Sequence, residues 1–67
     1  MFYVYILRSL CKPDETYIGV TSDLKRRFRE HNSGRADYSC RLRPWEIVCY
    51  VAFVSEEKAF RFERYLK

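Results

Sequence analysis

No apolar run in this chain approaches a membrane span. The longest, Phe2–Leu7 and Ile47–Val54, fall far short of the about 20 residues that a bilayer-crossing helix needs. No basic stretch at the N-terminus leads into a long apolar segment, so no secretory leader is visible. The cysteines are few and odd in number: Cys11, Cys40 and Cys49. They form no CxxC pair, and His31 is the only histidine, which argues against a zinc site. Free, mostly buried thiols in a reducing, cytoplasmic setting are the expectation. Repeats, linkers and low-complexity stretches are also lacking. At 67 residues the chain allows one domain at most, residues 1–67.

Core material is plentiful, with 48% hydrophobic and 18% aromatic residues beside 33% charged ones. That mixture describes a globular chain. The net charge of +4 is unevenly placed. Residues 1–24 carry a balance of −1, residues 25–43 a balance of +5, and residues 44–67 none. The central surplus comes from Lys25, Arg26, Arg27, Arg29, Arg35, Arg41 and Arg43. Arginine suits phosphate geometry better than lysine, so a nucleic-acid backbone is the partner suggested. A simple solvated face is the other reading.

Phe2 to Leu7 is aromatic and β-branched and reads as a strand. A turn through Pro13-Asp14 leads to a second strand, Thr16 to Val20, which pairs antiparallel with the first. Thr21 and Ser22 supply N-cap side chains for a helix running to about Asn32 and closed by Gly34. Leu24, Phe28 and His31 share one face of it. Ile47 to Val54 is apolar throughout and suits a strand covered on both faces. Ser55-Glu56-Glu57 starts a second helix that continues to the last residue. The order is β-β-α-β-α, an α+β domain with a three-stranded antiparallel sheet flanked by helices.

Several residues sit awkwardly for a plain core. Glu63 falls within about 40° of Ala59 on the apolar stripe of the second helix. A carboxylate there calls for an internal ion pair, water at the rim, or a hard cation. Arg27 lies about 60° from Leu24, on the side of His31. Tyr5 and Tyr17 lie on adjacent strands, and Gly19 shares the face of Tyr17. A glycine in a strand often marks close approach of a ligand or another backbone. A carboxylate for metal, an arginine for anionic charge, and phenol or imidazole groups for proton transfer are the parts of phosphodiester hydrolysis.

On these residues the chain resembles the GIY-YIG nuclease superfamily. The first signature stands as Tyr3-Val4-Tyr5, with Tyr3 where the family usually has glycine, and the second, Tyr17-Ile18-Gly19, is intact. Leu24 to Asn32 resembles the family's first-helix segment, and Ala59 through Glu63 to Lys67 its metal-carboxylate helix. Arg43-Pro44-Trp45 and the compact spacing resemble the small, single-domain bacterial branch of predicted endonucleases. The resemblance implies one-metal hydrolysis of DNA, branched or damaged forms included, with Mg²⁺ or Mn²⁺ on Glu63. Arg27 would stabilise the phosphate, and Tyr5 or Tyr17, helped by His31, would handle the attacking water. Gly19, Arg26, Arg29, Arg35, Arg41 and Arg43 are the expected nucleic-acid contacts. A non-catalytic nucleic-acid-binding module using residues 25–43 is the alternative. The resemblance also implies a further helical segment after the Glu63 helix. The chain stops at Lys67, which leaves an absent element and a truncated one both open.

Overall fold

A computed structural model describes residues 1–33 and 41–67. Five elements follow in the expected order: β1 (Phe2–Ser9), β2 (Thr16–Thr21), α1 (Leu24–Ser33), β3 (Trp45–Phe53) and α2 (Glu56–Leu66). The strands form one antiparallel sheet in the order β2-β1-β3. β1 is therefore central, and its apolar character on both faces has a direct cause: both faces are covered.

Pairing fixes which side chains share a face. Tyr5 lies opposite Gly19 and Tyr50, and Leu7 opposite Tyr17 and Ile47. Tyr5, Leu7 and Trp45 are buried together, and Tyr17, Leu24, Phe28 and Leu42 pack against them. This is the face that α1 covers, through the Leu24–Phe28–His31 stripe. Phe53 lies opposite Phe2, on the Val4 side of the sheet. Phe62 packs on Phe53 with ring centroids 5.5 Å apart. Strand alternation thus puts α2 on the opposite face, with Ala59 fully buried.

The helix starts differ in one detail from expectation. Asp23 caps α1: its Oδ1 accepts the Arg26 backbone N–H at 3.1 Å, and its carbonyl accepts that of Arg27 at 3.0 Å. Thr21 instead folds the entry, its Oγ1 accepting the Asp23 N–H at 3.1 Å. The helix begins one residue later than a Ser22 cap, and two later than a Thr21 cap, would set it. Ser55 caps α2 as expected, accepting the Lys58 N–H at 3.3 Å. Gly34, the expected stop of α1, lies outside the described residues. The end of α1 is pinned another way. The Asn32 amide accepts the Trp45 N–H at 2.6 Å and donates to the Trp45 carbonyl at 3.3 Å. That two-way bond ties the last turn of α1, and so His31, to the start of β3.

Two expectations fail. β3 is not covered on both faces: Val48, Tyr50 and Val51 are 52%, 54% and 41% exposed. It is an edge strand, and the helices leave these residues uncovered. The cysteines are not buried either. Cys49 is exposed on that strand and Cys11 on the loop after β1; both are free thiols. Cys40 lies outside the described residues. Among the described residues no helix is long and apolar enough to cross a membrane.

Candidate active site

The α1 face of the sheet brings Tyr5, Tyr17, Arg27 and His31 together. Tyr5 comes from the central strand and is 1% exposed. Its hydroxyl lies 3.0 Å from Nε2 of His31, a residue 26 positions away and completely buried. The Tyr17 and His31 rings are 4.7 Å apart, and Tyr5 and Tyr17 stack at 6.1 Å.

Gly19 makes this stacking fit. A Cβ at that position would stand 2.6 Å from the Tyr5 hydroxyl, 2.8 Å from its Cζ and 2.9 Å from Cε1 of Tyr17. The close approach suspected from the sequence is real, but the approaching groups are these two rings. Gly19 is itself buried under them. It is therefore a packing residue and not the nucleic-acid contact expected from the sequence.

The Arg27 guanidinium lies close enough to both phenols for them to add to the rise of its pKa. Its Nη1 donates to Glu30 Oε1 at 2.9 Å, and that pairing above all raises its pKa. Glu30 in turn accepts from Arg26 Nε at 3.3 Å, and its carboxyl is held below the ordinary range chiefly by Arg27. Burial pushes Tyr5 up to about 12, with Arg27 opposing the shift. Burial and then the Arg27 charge push His31 down. At neutral pH Tyr5 therefore keeps its proton and His31 is an uncharged imidazole. A neutral His31 can accept the Tyr5 O–H at Nε2, which leaves the phenol oxygen facing the Arg27 charge.

Glu63 does not join this cluster directly. Its side chain is 18% exposed, and Oε2 pairs with Lys67 Nζ at 2.7 Å. This is the internal ion pair that the sequence left open. α2 runs over the far face but also contacts β2. There the Lys67 ammonium is close enough to feel the Tyr17 hydroxyl; the Glu63 bond is the main cause of its raised pKa. Tyr17 thus stands between the Arg27 side of the site and the Glu63–Lys67 pair. Among the described residues no three His, Cys, Asp or Glu side chains cluster as a ready metal cage. A single half-buried carboxylate that already attracts a cation still fits Mg²⁺, which keeps several waters and takes one or two carboxylates plus substrate oxygens.

The basic residues divide. Arg26 is exposed and tied to Glu30, whereas Arg29, Arg41 and Arg43 are exposed and form no ion pair among the described residues. Arg35 and Tyr38 lie outside them. Sequence reasoning missed three participants. Glu30 was signalled by its i+3 and i+4 spacing from Arg27 and Arg26, and Lys67 by its i+4 spacing from Glu63. Asn32 gave no local signal, because its partner is the backbone of β3.

Comparison with known proteins bears on this arrangement. The family model described as the GIY-YIG catalytic domain matches residues 1–67. UPF0213 protein BH0048 of Halalkalibacterium halodurans is 42% identical over 66 residues, which span 97% of this chain and 68% of that protein. The structure-specific endonuclease subunit SLX1 of Debaryomyces hansenii is 43% identical over 74 residues, spanning 98% of this chain but 21% of the relative. The chain thus spans about a fifth of that SLX1 protein. The solution NMR structure of BH0048 superposes with a TM-score of 0.57 at 38% identity, covering 98% of this chain and 70% of that one.

Proposed function

The chain belongs to the GIY-YIG family, and from that premise we propose that it is a metal-dependent endonuclease domain hydrolysing phosphodiester bonds of DNA. The observation that carries the reading is the position of Tyr17. Its ring packs on His31 and Tyr5, with centroids 4.7 and 6.1 Å away, beside Arg27, while on the other side it acts on the charge of the Lys67 ammonium that pairs with Glu63.

In this mechanism Arg27 binds the scissile phosphate and offsets charge on its non-bridging oxygens. Its Glu30 bond holds the guanidinium in place beside the two phenols before substrate arrives. Tyr5 is not the base, because a phenol pushed up to about 12 stays protonated at neutral pH. It fixes His31 beside Arg27 through its bond to Nε2. Tyr17, only half-buried, orients the attacking water. Glu63 would hold Mg²⁺ or Mn²⁺ in place of the Lys67 ammonium, and the ion would polarise the phosphate and stabilise the leaving oxygen. Exposed Arg29, Arg41 and Arg43 contribute backbone contacts that fall off with salt.

The relatives named as structure-specific endonuclease subunits support DNA as the substrate, with branched DNA the first form to try. The test is cleavage of labelled single-stranded, duplex and branched DNA with Mg²⁺ or Mn²⁺ and with a chelator. Metal-dependent cleavage lost in a folded Glu63→Ala variant supports the proposal. Equal cleavage by that variant would mean a contaminating nuclease and overturn it. Salt-sensitive binding without cleavage under any condition would leave the non-catalytic binding module in its place.

A further inference from the structure

A second cavity opens on the α1 face beside the tyrosine cluster. Its volume is about 290 Å³, and Tyr3, Tyr50, Ser22, Asp23, Leu24 and Lys25 line it. Tyr50 is the direct β3 partner of Tyr5, and Tyr3 precedes Tyr5 by two residues on β1. Both rings therefore stand on the face that carries the candidate reacting groups. They meet edge to face, with centroids 6.0 Å apart and planes at 66°. Tyr50 is 54% exposed, so burial in the core does not account for its position. Lys25 is exposed at the rim and forms no ion pair among the described residues. Asp23 spends one carboxylate oxygen on the Arg26 amide.

An aromatic wall beside a lysine matches a nucleotide: the ring face takes the base and the ammonium takes the phosphate. Bases in a duplex already stack on their neighbours and do not offer a free face to a protein ring. We propose that this cavity is a subsite for an unpaired nucleobase of the DNA strand, stacked on Tyr50 with Lys25 on the adjoining phosphate. The proposal rests on the nuclease reading and deepens it. It makes the substrate a DNA with single-stranded character next to the scissile bond. Every base has a stacking face, so the subsite tolerates sequence and selects structure.

The test measures binding without metal, so that cleavage does not enter. Anisotropy of labelled oligothymidylate and of a duplex of equal length is compared for the wild type, Tyr50→Ala, Tyr50→Phe and Lys25→Gln. Tyr50→Ala is expected to weaken oligothymidylate binding about five- to 100-fold while leaving the duplex unchanged, and Tyr50→Phe to keep the wild-type affinity. Lys25→Gln should lower the salt slope by about 1. A 2-aminopurine base in the strand should change its fluorescence with the wild type and not with Tyr50→Ala. Equal loss on both DNAs, no loss on either, or a Tyr50→Phe protein that behaves like Tyr50→Ala would overturn the subsite. Cleavage that persists beside such a result would leave the nuclease reading standing.

Discussion

Gly19→Ala perturbs the site at its most crowded point. The added Cβ would face the Tyr5 hydroxyl and two ring carbons, one each of Tyr5 and Tyr17, at 2.6, 2.8 and 2.9 Å. Both rings are held by their neighbours. Tyr5 is buried and bonded to His31, and Tyr17 is stacked between Tyr5, His31 and Trp45. Overpacking of this kind costs about 1–3 kcal/mol. Alanine recovers about 0.5–1 kcal/mol because glycine loses more backbone freedom on folding. From the middle of those ranges the net loss is about 1 kcal/mol, and at about 4–8 °C per kcal/mol for a domain of this size Tm should fall by about 4–8 °C. Thermal unfolding by circular dichroism reads this directly. Cleavage measured well below the new Tm should also fall, because the two phenols beside Arg27 are displaced. A Gly19→Ala protein with unchanged or higher Tm and full activity would refute the packing argument.

Other perturbations give separate outcomes. Tyr5→Phe removes the bond to His31; losing a buried hydrogen bond there should cost about 1–3 kcal/mol in denaturant unfolding, with cleavage reduced. Because the folded pKa of His31 lies below its ordinary 6.5, the unfolded chain takes up a proton first as pH falls. Stability is then full above pH 6.5 and declines as pH drops through the lower folded value; a His31→Gln protein should lose that part of the pH dependence in thermal melts. Lys67→Gln frees the Glu63 carboxylate of its internal cation, so Mn²⁺ should bind more tightly by calorimetry, and Glu63→Gln should abolish that binding; unchanged affinity in Lys67→Gln would separate the ion pair from the metal position. Glu30→Gln should leave Arg27 charged but less fixed, lowering the cleavage rate more than substrate affinity.

The local elements were legible because each carries its own pattern. β1 and β2 announce themselves by aromatic and β-branched residues, and α1 and α2 by stripes three and four apart. Ser55 signals its cap alone. Asp23 competed with Thr21 and Ser22 as a cap, and three adjacent capping residues do not say which of them turns the chain. β3 was misread because an apolar run reports a wish for cover and not the strand's rank in the sheet. Rank is decided when β1 pairs on both sides, a tertiary event. Arg27, His31, Tyr5 and Tyr17 stood out as oddities of pattern, but their meeting was not readable from spacing. It depends on Gly19 opening room under two rings and on Asn32 anchoring α1 to β3. For Glu63 the helical stripe correctly predicted a mostly buried carboxylate. The same stripe held its Lys67 partner four residues on, which the sequence reading passed over.

The central claim is that the tyrosine–arginine–histidine cluster is the reacting centre of a nuclease. Single-turnover cleavage of a labelled branched DNA in Mn²⁺, wild type against Arg27→Ala, tests it most directly. The account predicts cleavage by the wild type that the chelator stops, and a loss of at least about 100-fold in Arg27→Ala, the usual scale for one transition-state charge contact. Cleavage by Arg27→Ala at the wild-type rate, from a protein with an unchanged circular dichroism spectrum, would contradict it.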